Sequence, residues 1–146
     1  MSNWADDALG KLKKQQGDQR VKDAKFLEKQ RLKKAHGGRL WEEVRRAVKE
    51  NCNHLNTKAE KEILVFEVTQ NTILRVRASL DSNSRLLAAA FDEETGLLSW
   101  ESNAANGQWE LAVTDDDGGV GFCRGMRIPS TPASIAKQML DALLFG

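Results

Sequence analysis

Between Lys61 and Arg124 the chain is a ladder of short apolar segments cut by turn residues, and this ladder limits the fold more than any other feature. Leu64, Phe66 and Val68 alternate with Val65, Glu67 and Thr69. After Gln70-Asn71, Leu74, Val76, Ala78 and Leu80 alternate with Arg75, Arg77 and Ser79. Successive side chains of a strand point to opposite faces, so alternation of this kind predicts strands with one buried face, and two such runs around a short polar link predict a hairpin. Asp81-Ser82-Asn83-Ser84 supplies the next turn, because short Asp, Ser and Asn side chains hydrogen-bond their own backbone. Leu86 to Phe91 is apolar on both faces and contains Ala88-Ala89-Ala90. That composition predicts a central strand with an element packed on each side.

The ladder continues through a second hairpin. Gly96, closing Glu93-Glu94-Thr95-Gly96, is placed to take the positive φ of a short loop. Two registers keep Leu98 and Trp100 on one face with Trp109, Leu111 and Val113. A tight Asn106-Gly107 turn opposes Trp100 to Val113; a longer loop opposes Trp100 to Trp109 and Leu98 to Leu111. The second is preferred, because it pairs large apolar groups across strands at ~0.2–1 kcal/mol each. Asp115-Asp116-Asp117-Gly118-Gly119 turns the chain again, and Val120 to Arg124 forms a sixth strand. Arg127-Ile128-Pro129 ends the sheet, since proline lacks the donor that a central strand needs. Ser130 or Thr131 then caps a helix that begins at Pro132. Its stripe of Ile135, Met139, Ala142 and Leu143, widened by Ala136, Leu140 and Leu144, must be buried on the sheet or on a partner.

Ahead of the ladder the period is helical. Leu40, Trp41, Val44, Ala47, Val48, Cys52 and Leu55 recur at three- and four-residue steps, which predicts an amphipathic helix fraying at Asn51-Cys52-Asn53-His54. Residues 4 to about 35 are rich in helix formers but thin in apolar residues. Ala5, Leu9 and Leu12 have helical spacing, continued loosely by Ala24, Leu27 and Leu32, with Gly17-Asp18 between. The pattern is not sustained as a coiled coil requires. His36-Gly37-Gly38 is the predicted boundary, because paired glycines end a helix cheaply.

The expected fold class is therefore α+β: a six-stranded antiparallel β-meander with a preceding amphipathic helix and a C-terminal helix packed on the sheet, plus a basic helical N-terminal arm. Residues 1–36 form the arm. Residues 39–146 form the sheet domain, with a helix at 39–53, strands within 62–125 and a helix at 132–145. The outline is similar to pleckstrin-homology-like and other small sheet-plus-helix binding domains, an architecture that hosts many functions and by itself implies none.

Charge divides the same way. Residues 1–60 hold 15 Lys+Arg against nine Asp+Glu, and residues 61–146 hold seven against twelve, so the net +1 conceals a basic front and an acidic body. No apolar run reaches the ~20 residues of a spanning helix. The early acids Asp6 and Asp7, with no apolar segment after them, argue against a secretory leader and for a cytoplasmic chain. Cys52 and Cys123 are read as free thiols, since with His54 they make only three ligands and lack the close pairs of structural zinc.

Catalytic chemistry finds little support. Asp115-Asp116-Asp117 neither alternates its carboxylates nor ends in Glu as a calcium loop does. Asp92, Glu93 and Glu94 sit in a solvated turn where nothing raises a carboxyl pKa. Only His36 and His54 could serve as imidazole bases, and Gly118-Gly119-Val120-Gly121 lacks the spacing and following helix of a phosphate cradle. No cofactor and no metal site is expected. The expectation is a non-enzymatic protein-binding or assembly module that uses the basic helical arm and one sheet face, docking a protein partner or a second subunit through Lys11, Lys13, Lys14, Lys22, Lys25, Lys29, Lys33 and Lys34. Nucleic-acid binding through the same lysines is the alternative, with a small apolar ligand held between sheet and helices near Trp100 and Trp109 as the third reading.

Overall fold

The computed structural model describes residues 4–80, 83–113, 119–125 and 129–146. The chain is α+β: a long helix α1 (Trp4–Ala59), a sheet of seven strands, and a helix α2 (Pro132–Phe145). The strands are β1 (Leu64–Thr69), β2 (Ile73–Leu80), β3 (Asn83–Asp92), β4 (Leu97–Glu101), β5 (Asn106–Val113), β6 (Val120–Cys123) and β7 (Pro129–Ser130). Each pairs antiparallel with the next, so sheet order follows chain order. Residues 115–118 of the turn predicted at Asp115–Gly119, two residues of the Asp81–Ser84 turn, and Arg127-Ile128 lie outside the described residues.

The alternating pattern does what its chemistry requires. Leu64, Leu74, Val76, Ala78, Leu87, Ala89, Phe91, Leu98, Trp100, Trp109, Leu111 and Phe122 are buried on one face of the sheet. The second half of α1 and all of α2 lie over that face and share its core through Leu40, Trp41, Val44, Val48, Ile135, Met139 and Leu143. Thr131 caps α2, its hydroxyl accepting from the Ser134 amide at 3.1 Å, with Pro132 in the first turn. Arg85 closes the other end by donating to the carbonyls of Leu143, Leu144 and Gly146 at 3.1–3.2 Å, where a cation also meets the negative end of the helix dipole.

Four expectations need correction. First, α1 does not break at Gly37-Gly38 or at Gly17, nor stop at Asn53; it runs unbroken for 56 residues. Gly37 serves close approach instead of termination. A Cβ placed there would lie 2.7 Å from Leu111 Cδ1 and 3.2 Å from Phe91 Cζ, so any larger residue would have to displace the Leu111 side chain for the helix to seat this deeply. The helix ends at a left-handed residue, Glu60 (φ 55), with Lys61 N–H donating to the Asn56 carbonyl and Glu60 N–H to that of Thr57, the pattern of a Schellman cap. Asn56 then ties this end to β1: its amide donates to the Leu64 carbonyl, and its Oδ1 accepts from the Ile63 and Leu64 amides at 2.8–2.9 Å.

Second, the sheet has a seventh strand. Pro129 opens β7 opposite Cys123; at the start of a two-residue edge strand, its missing donor costs the ladder nothing. Third, β3 is covered on one side only. Leu86 and Ala90 are exposed and Ala88 is half-buried, so the alanines floor an open surface. Fourth, neither expected β4–β5 register forms. Trp100 opposes Gly107 and Leu98 opposes Trp109. A Cβ at Gly107 would come within 2.7 Å of Trp100 Nε1, so the indole lies flat over the glycine and reaches Trp109 diagonally, with ring centroids 6.3 Å apart. Ser102 closes the turn on Ala105, the backbone bond measuring 2.7 Å.

The two adjacent helical glycines should respond oppositely to substitution. A Cβ added at Gly38 would meet no neighbouring atom within 4 Å, so Gly38→Ala should stabilise the fold by up to about 1 kcal/mol through helix propensity alone. Gly37→Leu, also a good helix former, should destabilise it by about 1–3 kcal/mol through overpacking. Urea midpoints of the two variants check this; equal losses in both would mean that the helix does break there.

Candidate functional site: a projecting helix and an open sheet face

The first half of α1 stands clear of the domain. From Trp4 to Lys29 every residue is exposed except half-buried Ala8, and burial begins in earnest only at Gly37, Leu40 and Trp41. At 1.5 Å per residue this segment reaches roughly 40 Å beyond the core. Trp4, Leu9, Leu12, Val21, Phe26 and Leu27 are between 51% and 82% exposed. On a wheel of 3.6 residues per turn, Trp4, Ala8, Leu12 and Phe26 fall in the sector occupied further on by Gly37, Leu40, Trp41 and Val44. The stripe that anchors α1 to its own sheet therefore recurs along the projection, interrupted at Gln15 and Gln19.

The lysines of the arm separate into two groups. Lys11, Lys13, Lys14, Lys22, Lys25 and Lys29 are exposed on the projecting segment. Lys33 and Lys34 instead line a cleft of about 290 Å³ with Gly37, Gly38, Phe91, Glu93 and Glu94 of the same chain. Asp92 is committed to shaping the β3–β4 turn, its Oδ1 accepting from the Glu94 amide at 2.9 Å. Within the arm, Arg31 donates two hydrogen bonds to Glu28, at 2.6 and 3.0 Å, and holds that carboxyl below its usual range. Exposed pairs of this kind contribute little to stability.

Trp100 and Trp109 lie in the core beneath the helices, and Trp100 also contributes to the lining of an open groove. Their rings stack at 26° inside the core, Trp109 donates to Ser130 Oγ at 3.2 Å, and the Arg124 guanidinium lies 6.0 Å from the Trp109 ring centroid. A concavity lies on the opposite side of the sheet, where Ile73, Arg75, Ala88, Ala90, Ser99 and Glu101 border a groove of about 530 Å³. Arg75, Ala88 and Glu101 are in register across β2, β3 and β4, so a guanidinium and a carboxylate form facing walls above an alanine floor.

Sequence patterning alone does not reveal two features of this surface: the exposed apolar residues as a set, and the groove. The polar partners of the Ala-Ala-Ala strand, Arg75, Ser99 and Glu101, carry the signal that its second face is open.

Cys52 is a free, buried thiol, and Cys123 is buried as well. Among the described residues no three His, Cys, Asp or Glu are placed to hold a metal ion, and no helix is long and apolar enough to cross a membrane. No protein-family model, curated protein or solved structure matches the chain, so function must be argued from these surfaces.

Burial pushes the Cys52 thiol up to about 11. The unfolded thiol releases its proton near ~8.5, so between these values the unfolded state holds fewer protons and native stability falls as pH rises. Urea midpoints near pH 8 and pH 10.5 should show that fall, and Cys52→Ala should show a smaller one. An identical pH dependence in the two proteins would contradict this assignment.

Proposed function

We propose that this chain is a non-enzymatic protein-binding or assembly module whose docking element is the projecting half of α1. The observation that carries the reading is the row of large apolar side chains held in solvent on a helix that the domain itself does not use. An isolated polar helix of this length is marginal in water; here the anchored half supplies the nucleus, and a partner would supply the missing burial. Each Leu or Phe fully covered contributes roughly 1.5–3 kcal/mol, so a few such residues suffice for a helix-in-groove contact. The exposed lysines around them would steer the encounter toward an acidic surface.

The lysines also motivate the nucleic-acid reading. Against it stand the five acids interspersed between Asp6 and Glu28 and the presence of only Trp4 and Phe26 as aromatics able to stack on bases.

Two full-length variants separate these readings. Replacing Leu9, Leu12, Phe26 and Leu27 by Gln preserves helix propensity and charge, and should abolish association with protein. Replacing Lys11, Lys13, Lys14 and Lys22 by Gln should weaken it only modestly and in a salt-dependent way. Undiminished association in the apolar-to-Gln variant would overturn the proposal. Binding of mixed DNA or RNA at about 50 mM salt, lost only in the Lys-to-Gln variant, would move the assignment to nucleic acid.

A further inference from the structure

The domain leaves two surfaces unpartnered, and they lie where one chain cannot bring them together. Residues 37–55 of α1 are seated on the inner face of the sheet, and the helix continues unbroken from there back to Trp4. The open groove is on the outer face, with the sheet between. The arm therefore cannot fold back into its own groove without breaking the helix.

The groove has the width of a helix. Ala88 and Ala90 form its floor on β3, with Leu86 exposed beyond its end. Arg75 rises on β2, and Ser99 and Glu101 on β4. Two strand spacings separate these walls by roughly 10 Å, about the diameter of an α-helix with its side chains. Its lining on β3 spans Ala88 to Ala90, roughly 10 Å of strand, enough to seat about two turns of a helix.

Chemistry matches as well. The floor is apolar and shallow, with Leu86 beyond it 43% exposed, and the arm offers Leu12, Phe26 and Leu27 as knobs to cover it. Between residues 4 and 34 the arm carries ten Lys+Arg against five Asp+Glu, while residues 61–146 carry seven against twelve. On the outer face Glu67, Glu101 and Glu110 are exposed and available to the lysines, and Arg75 would meet the interspersed acids, Asp18 among them. Two arms alone would bring like charge together along most of their length.

We infer that the partner of the arm is the outer groove of a second copy of this chain, each copy inserting its arm into the groove of the other. This rests on the docking role proposed above for the arm and names its partner. A reciprocal two-fold exchange uses both surfaces of both chains and closes the assembly, whereas a one-way arrangement would leave an arm and a groove open at its ends and propagate.

Sedimentation of the full-length chain tests the inference. It predicts a species of twice the 16.3 kDa chain mass, favoured by low salt. An arm variant (Leu12→Gln, Phe26→Gln, Leu27→Gln) and a groove variant (Ala88→Lys, Ala90→Lys) should each weaken dimerisation by at least about tenfold. Mixing the two should restore a heterodimer, because one intact arm then meets one intact groove. Near-UV circular dichroism confirms that each variant is folded, and Glu101→Lys provides a second groove variant that leaves the floor untouched. A wild-type monomer at roughly 100 μM would overturn the inference, while the docking role of the arm toward other proteins stands or falls on its own experiment. A dimer lost in the arm variant but untouched by both groove variants would mean that arms pair with each other, and would overturn it too.

Discussion

The architecture depends on the contact of Gly37 with Leu111 and Phe91. Glycine inside a helix costs up to about 1 kcal/mol relative to alanine, and here the absent Cβ lets the helix descend onto the sheet. Once seated, α1 brings Trp41 against Phe91 at 5.8 Å, and Phe91 meets Phe122 edge-on at 5.7 Å. Trp41 also donates its indole N–H to the Asn71 carbonyl at 2.7 Å, pinning the β1–β2 turn, where Gln70 and Asn71 both hold positive φ. One close approach thus fixes the helix relative to three strands and one turn. Because the helix passes this point without a break, most of what precedes it is carried into solvent.

From that constraint follows the functional reading. A hinge at the glycines would have let the arm fold onto its own domain and cover its apolar residues. A continuous helix forbids this and presents them to another molecule. The opposite charges of arm and sheet domain then act on association and leave the fold alone, which is where summed charge has its physical effect. The outer sheet face is shaped by the same economy: two helices suffice for one face, and no third element covers the other among the described residues.

Much of this was legible in the chain, and the failures are instructive. Period-two runs identified six of the seven strands and the buried face, because alternation is a direct readout of the pleat. The stripe and cap of α2 were equally plain. Register was not, since shifting β5 against β4 by two residues keeps Leu98, Trp100, Trp109 and Leu111 on the same face. Alternation therefore cannot choose among such shifts; the bare surface of Gly107 under the Trp100 indole does. The helix boundary failed for a related reason. Gly-Gly is a strong local stop signal, but its meaning depends on whether something occupies the space that a Cβ would fill, and Leu111 lies 74 positions further along the chain. The Ala-Ala-Ala strand reads identically for a surface buried on two sides and for the floor of an open groove.

The central claim is that α1 is one rigid helix through Gly37-Gly38, and distance measurement between spin labels tests it most directly. Labels at Gln15 and Lys49, both exposed, bracket the glycines. A continuous helix places them about 51 Å apart with a narrow distribution, 34 residues at 1.5 Å each. A broad distribution centred well below that distance would show a hinge at the glycines and contradict the account.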